Sequence, residues 1–403
     1  MDDQILGISN SVQWIGVLDR DIKTFDIIMT TEYGTTYNAY FINAQKKAIV
    51  DTAKETFFDT YLAKLKSVTK LDEIEYIIVS HTEPDHSGSL RRILELAPNA
   101  TVVASAPALK YLRDQIGHDF PQQVAKDGDI IDLGDQHLRI ISAPSLHWPD
   151  TIYSYLEEEE ILFTCDSFGA HFCHEAMYDD LVGNYDEAYQ YYFDVILKPF
   201  SKFYLKAIDK IKNLDIKAIC PGHGPILRKT WKEVIAKTAK MCQEYIDHNP
   251  EKNRILLAFV SAYGYTKTIA EKIAEGLKEV DGLHVDFCDI EKMSREELED
   301  KISRAAAFLI GSPTINQNML PQIYAMFSIM TPLRDRGKLA GCFGAYGWSG
   351  EAERDIITNI ENLKLNYFGE SIFLRFRPQE YDFDKIKDYG KRFGQQLVNS
   401  NTE

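Results

Sequence analysis

No C-x-x-C pair occurs in this chain; its six cysteines, Cys165, Cys173, Cys220, Cys242, Cys288 and Cys342, lie scattered. That spacing excludes a disulfide scaffold and any cysteine-ligated zinc, rubredoxin-type or ferredoxin-type module within the 403 residues. Each thiol reads as a small buried hydrophobe. A redox enzyme built this way must take its electrons from a separate donor. Basic residues are also short: 45 Lys and Arg face 61 Asp and Glu, and a net charge of −16 lacks the footprint that nucleic acid demands. No apolar run approaches the roughly eighteen residues of a membrane span. The opening Met1-Asp2-Asp3-Gln4 has neither the basic flank nor the apolar stretch of a secretion signal. A G-x-x-x-x-G-K-S/T loop is missing, which removes a nucleoside-triphosphate site of that type. These absences predict a cytoplasmic protein that engages neither nucleic acid nor membrane.

What is present is the composition of a globular protein, 45% hydrophobic and 26% charged, in a chain too long for one ordinary core. The polar stretch Asp247 to Asn253 breaks a helical pattern with asparagine and proline, so domains are expected at 1–250 and 254–403. The first opens with strand-like runs at Val12–Val17, Thr36–Ile42 and Lys47–Val50, then a helix around Phe57–Val68. The second alternates strands (Arg254–Val260, Leu283–Cys288, Ala305–Gly311, Leu339–Gly344, Ser371–Phe376) with amphipathic helices, the pattern of a doubly wound parallel sheet.

The chemistry concentrates in His81-Thr82-Glu83-Pro84-Asp85-His86, directly after the buried strand pattern Glu75–Ser80. Two imidazoles and two carboxylates within six residues make half of a two-metal site, and His147, Asp166 and His223 supply another half. Each follows a strand-like run: Leu138–Ile141 before His147, Ile161–Thr164 before Asp166, Ala218–Cys220 before His223. One isolated histidine reads as a hydrogen-bonded structural residue. Four strand ends releasing a ligand into a loop describe a site built on one rim of an α/β scaffold. His118, His137, His248 and His284 lie away from strand ends and read as surface residues.

Metallo-β-lactamase-fold hydrolases carry H-x-H-x-D-H at this strand end. The first 250 residues resemble that pattern, except that Glu83 stands where they have histidine. A hard anionic oxygen among imidazoles favours a pair of iron ions over zinc. The variant H-x-E-x-D-H followed by a flavodoxin-like domain resembles the flavodiiron proteins (A-type flavoproteins), as do Gly34-Thr35-Thr36-Tyr37-Asn38-Ala39-Tyr40 and Leu146-His147-Trp148-Pro149-Asp150. The resemblance covers essentially the whole chain. It implies an N-terminal αββα metallo-β-lactamase-like sandwich, then a flavodoxin-like doubly wound parallel sheet. One iron would be held by His81, Glu83 and His147, the other by Asp85, His86 and His223, with Asp166 bridging. His171 matches a histidine common in the family and is a candidate for hydrogen bonding around the irons. Tyr191 and Tyr192 are candidates for proton donation, with core packing the competing reading, and His174 reads as structural. Many family members have histidine where this chain has Asp26, so the resemblance does not carry a proton-delivery role over to that position.

Ser261-Ala262-Tyr263-Gly264-Tyr265-Thr266 ends the first strand of the second domain and opens a helix, resembling the flavodoxin phosphate loop S/T-x-x-G-x-T. Hydroxyls and N–H groups at a helix start hold a phosphate without lysine, so the implied cofactor is FMN. Alone the loop is also an ordinary helix cap. Two further strand-end loops, Pro313-Thr314-Ile315-Asn316 and Ala345-Tyr346-Gly347-Trp348-Ser349-Gly350, sit where such folds bind ligands, and Tyr346 and Trp348 are candidates to flank the ring. The resemblance therefore implies reduction of O2 to water, of NO to N2O, or of both. Electrons would come through FMN from a donor such as rubredoxin or a reduced deazaflavin, in a head-to-tail homodimer or a dimer of dimers. The alternatives are a zinc hydrolase fused to a flavodoxin-like module, which Glu83 opposes, and an electron carrier whose first domain only docks a partner.

Overall fold

A computed structural model describes residues 3–26, 29–247 and 250–400. It divides into two compact units, Met1–Ile246 and Asp247–Glu403.

The first unit is built on two facing sheets. A seven-stranded sheet runs in the order Leu6–Gly7, Val12–Trp14, Tyr40–Ile42, Lys47–Val50, Ile74–Ile78, Thr101–Ala104, Gln122–Val124. A five-stranded sheet runs Ile130–Asp132, His137–Ser142, Ile152–Leu156, Ile161–Cys165, Ala218–Pro221. Side chains alternate across each strand, so one strand feeds two cores. Tyr40, Ile42, Val50 and Ile78 meet Leu138, Ile140, Leu156 and Phe163 between the sheets. Phe41, Ile49 and Ile77 face outward against Phe58, Tyr61 and Leu65 of the Phe58–Val68 helix and against Leu109 and Leu112. Helices Ser201–Ile211 and Trp231–Asp247 cover the other sheet through Tyr204, Ala207 and Cys242. Each such side chain contributes about 1.5–3 kcal/mol on full burial. The result is an αββα sandwich.

Two apolar runs that the sequence suggests as single strands are each split. Val12–Trp14 and Val17–Asp19 are separate strands, as are Thr35–Tyr37 and Tyr40–Ile42. Thr35–Tyr37 pairs with Val17–Asp19 in a small ribbon, while Tyr40–Ile42 joins the large sheet. At the break, the backbone N–H of Asn38 leaves the ladder and donates to Gly222 O at 2.8 Å. A polar tertiary contact overrides local strand propensity there.

The second unit is a five-stranded sheet whose pairs are all parallel. In chain order its strands are Glu251–Phe259, His284–Asp289, Ala305–Gly311, Leu339–Tyr346 and Asn366–Arg375, and in space they run second, first, third, fourth, fifth. That is the flavodoxin-type doubly wound order. Helices Tyr265–Leu277 and Glu380–Ser400 cover one face, and Arg295–Arg304, Pro321–Ile329 and Glu351–Asn362 the other. The first strand starts at Glu251, inside the stretch expected to be linker; His248 and Asn249 lie outside the described residues.

Candidate metal centre and flavin site

The strand Ile74–Ile78 delivers the chain into His81, and Pro84 then starts one short helical turn, Pro84–Ser87. The turn brings Asp85 and His86 back beside His81 and Glu83. Asp150 locks this segment to the one bearing His147: its Oδ2 accepts Thr82 N–H at 3.0 Å and Thr82 Oγ1–H at 2.7 Å. Asp166 follows the Ile161–Cys165 strand immediately, and His223 follows Ala218–Pro221. Gly222 must be glycine, since a Cβ there would stand 2.7 Å from His86 Cε1.

The seven side chains named from the sequence meet in two groups, His81, Glu83, His147 and Asp166 in one and Asp85, His86 and His223 in the other. Glu83 Oε2 lies 2.9 Å from His147 Nε2 and 3.2 Å from His81 Nε2. His223 Nε2 lies 3.1 Å from both Asp85 Oδ2 and His86 Nε2. Asp166 spans the groups. Its Oδ2 is 3.1 Å from His81 Nε2, and its Oδ1 is 3.2 Å from His86 Nε2.

These groups fit cations rather than one another. Asp85 Oδ2 and Asp166 Oδ2 are buried without a well-angled hydrogen bond, although imidazole nitrogens stand 3.1–3.4 Å away. Atoms placed that close with the wrong angles for hydrogen bonding are arranged as co-ligands. His223 donates its Nδ1–H to Thr36 O at 2.6 Å, and His81 Nδ1 lies 3.1 Å from Cys165 Sγ. Both outer nitrogens are thus engaged, which turns the Nε2 lone pairs inward. Without cations the carboxylates draw protons onto the rings. Burial pushes His86 and His147 down, but Asp85 and Asp166 lift the first, and Asp166 and Glu83 the second, to about 9. Burial likewise pushes Glu83 up, yet bonding from His147 and His81 holds its carboxyl far below the usual range.

His171 stands behind His223 rather than in either group. Its Nδ1 meets Thr35 Oγ1 at 2.9 Å, its Nε2 is buried with no partner, and its ring lies 5.1 Å from that of His223. Burial, and then the charge of His223, keep its imidazole neutral. Tyr192 is buried with an unpartnered hydroxyl, its ring T-shaped against His171 at 4.8 Å. Tyr191, the preceding residue on the same helix, is exposed and His174 is a surface group. The carboxyl of Asp26 is pushed up by burial and then by the charges of Glu83 and Asp85. Sequence reasoning missed Thr35, Thr36, Asn38, Asp150 and Cys165 as partners of the ligands. Asp150 and Cys165 stand beside ligands in sequence, but only the folded chain shows which atoms they hold.

In the second unit a cavity of about 300 Å³ opens at the strand ends. It is lined by Ser261, Ala262, Tyr263, Tyr265 and Thr266, by Pro313, Thr314, Ile315 and Asn316, and by Ala345, Tyr346, Gly347 and Trp348. Gly264, Ser349 and Gly350 do not line it. Gly264, at φ 83°, instead makes the left-handed turn into the Tyr265–Leu277 helix, and Gly350 precedes the Glu351–Asn362 helix beneath the Tyr346 ring. Thr266 Oγ1 is buried with no partner at the helix start, an orphan donor placed where an anion would sit. Tyr263 and Trp348 are 80% and 81% exposed, aromatic faces left open to a planar ligand. Phe376, which the sequence reading did not include, also lines the cavity; its N–H donates to Tyr346 O at 2.7 Å. A larger hollow of about 630 Å³ lies along the Arg295–Arg304 helix. It is lined by the end of the His284–Asp289 strand and the turn after it, where Lys292 pairs with Asp289 at 3.0 Å, and none of the three loops named from the sequence enters it.

An αββα sandwich with a seven-residue imidazole and carboxylate cluster, joined to a flavodoxin-type sheet with a strand-end cavity, defines a class of two-domain metalloflavoprotein scaffolds. Residues 35–224 match the ODP family beta lactamase family, and residues 257–388 match flavodoxin. The chain is 36% identical to a type A flavoprotein of Rhodobacter capsulatus, over 98% of this chain and 92% of that one. It is 37% identical to a flavo-diiron protein of Clostridium acetobutylicum (97% and 99% covered) and 32% identical to a nitric oxide reductase of Moorella thermoacetica (98% and 99%). Among solved structures, rubredoxin oxygen:oxidoreductase from Desulfovibrio gigas superposes with TM-score 0.70 at 25% identity, over 99% of this chain and 100% of that one. The chain belongs to the flavodiiron (type A flavoprotein) family. Among the described residues no helix is long and apolar enough to cross a membrane.

Proposed function

We propose that the protein reduces O2 to water, NO to N2O, or both, at a non-haem diiron centre, using electrons that reach it through FMN. The observation that carries this reading is the arrangement around Asp166, whose two oxygens face two separate ligand groups while Glu83 adds a carboxylate to the first. His81, Glu83 and His147 would hold one iron, Asp85, His86 and His223 the other, and Asp166 would bridge them. A metal pair held there would supply two adjacent binding positions and the redox chemistry for a diatomic gas.

The remaining residues set conditions for that chemistry. Burial pushes the Tyr192 hydroxyl well above its usual value, so it holds its proton beside the ligand His223 at a ring separation of 6.0 Å. Tyr192 and the neutral His171 are the groups placed to hold protons next to the pocket. Those protons are consumed, four with four electrons per O2, or two with two electrons per pair of NO. In the second unit, Ser261, Thr266 and the helix start would take the FMN phosphate, and Trp348 and Tyr346 would flank its ring. No Cys-ligated redox module lies within the chain, so the donor is a separate molecule, with rubredoxin or a reduced deazaflavin as candidates. The working unit, as the family resemblance implies, is a head-to-tail homodimer.

Metal and flavin analysis of the purified protein, with O2 and NO consumption followed under controlled gas and a chemically reduced generic donor, tests the reading. About two irons and one FMN per chain with turnover of either gas is expected. Stoichiometric zinc and no reaction with both gases would overturn it.

A further inference from the structure

The motif Gly34–Tyr40 supplies none of the seven candidate ligands, yet the backbone of the loop that carries His223 is held by it. That loop, residues 222–224 after the strand end at Pro221, enters no helix, so its polar groups need partners from elsewhere. They find them in Thr36, Asn38 and Tyr40. Asn38 Nδ2 donates to Pro221 O at 2.9 Å and to Gly224 O at 3.0 Å, bracketing His223 on both sides. Asn38 N–H donates to Gly222 O at 2.8 Å, Tyr40 Oη–H donates to Pro221 O at 2.6 Å, and Thr36 Oγ1 accepts Gly224 N–H at 2.8 Å. Thr36 O accepts the Nδ1–H of His223 itself. The Asn38 carbonyl oxygen is oriented in turn by Trp14 Nε1–H at 2.9 Å, which settles which end of the amide faces the loop. Asn38 is fully buried, and both ends of its side-chain amide are used.

We infer that Asn38, at the centre of the Thr36–Tyr40 clamp, is the positioning residue for one metal subsite, the one formed by Asp85, His86 and His223. It acts through His223: the clamp places the loop, and the Thr36 carbonyl selects the ring form that presents Nε2 to Asp85 and His86. The other group depends on a different anchor, the Asp150–Thr82 pair, and makes no bond to Asn38. No other side chain type fits position 38 as well. Aspartate would set an oxygen against two carbonyl oxygens, and alanine would take the donor from Gly224 O and leave Pro221 O with Tyr40 alone. The inference rests on the two-metal reading of the site, but the clamp itself exists without metal.

Anaerobic Fe2+ titration of the metal-free full chain tests it, together with hydrogen exchange read by mass spectrometry before metal is added. Asn38→Asp keeps an acceptor for Trp14 and loses both donors. It is expected to bind one Fe2+ as the parent does and to weaken the other by about 10- to 100-fold, the range found when partners of metal ligands are removed. Exchange should accelerate in peptides covering 218–227 and stay unchanged in those covering 81–86. Should that variant fail to fold, Thr36→Val, which removes only the acceptor for Gly224 N–H, should give a smaller change of the same kind. Two equally tight ions in a folded variant, with unchanged exchange at 218–227, overturn the inference. A parent chain that binds fewer than two Fe2+ sinks the diiron reading instead, and the exchange measured without metal then decides the role of Asn38 by itself.

Discussion

Raising the pH should destabilise the metal-free protein and, over the same range, tighten its hold on metal. In that form burial opposes charge on His86 and His147, but Asp85, Asp166 and Glu83 outweigh it and lift both rings from 6.5 to about 9. The folded value lies above the unfolded one. The stabilisation is therefore complete below pH about 6.5 and is lost as pH climbs through about 9. A rise of this size is worth roughly 3 kcal/mol for one ring at 1.36 kcal/mol per pH unit. Both rings draw on Asp166, so the second adds less than the first. Taking about 3 kcal/mol as the net loss, melting of the metal-free first unit should fall by ~6–12 °C between pH 6.5 and 9.5. Metal takes the place of those protons, so apparent affinity should rise by up to about tenfold per pH unit for each proton displaced. Calorimetric titration at pH 7 in two buffers of different ionisation enthalpy counts the protons released, and about three are expected, because His81, which burial pushes down but Cys165 and Asp166 hold well above its usual value, loses one as well. A melting temperature of the metal-free chain that is flat across this range, with no protons released on binding, refutes the argument.

Replacing Glu83 by histidine gives that strand end the hydrolase pattern H-x-H-x-D-H and removes one negative charge. Loading with equal Fe2+ and Zn2+ should shift the retained metal toward zinc, and an unchanged iron fraction would count against Glu83 as a ligand. Removing the orphan hydroxyl in Thr266→Val should weaken FMN by about tenfold or more, since a hydrogen bond to a charged group is worth ~1.5–3 kcal/mol; flavin fluorescence quenching measures it. Asp335 is fully buried between Arg334 and Lys338, each at 2.8 Å, and Asp335→Ala leaves their charges without it. A loss of about 3–5 kcal/mol is expected in thermal or urea unfolding of the flavodoxin-like unit.

Much of this protein is local information, and that part is readable from the chain. Continuous apolar strands such as Leu256–Phe259 and Ala307–Ile310 alternate with amphipathic helices, which specifies a parallel sheet covered on both faces. The ligand types and their places after strands are likewise written in order along the sequence, because a strand end aims the next few side chains whatever lies around it. The strand expected at Thr36–Ile42 breaks for the opposite reason: Asn38 leaves its ladder for a loop more than 180 residues away. Phe376 escaped notice because nothing near it in sequence marks a cavity wall.

Only the tertiary structure shows at what distances the seven side chains meet, that Asp166 turns one oxygen to His81 and the other to His86, and that Thr36 and Asn38 aim His223. Those facts depend on distances between segments far apart in the chain. Sequence carries the kind of donor and the strand it follows, while the angle at which two donors meet is set by how the sheets pack.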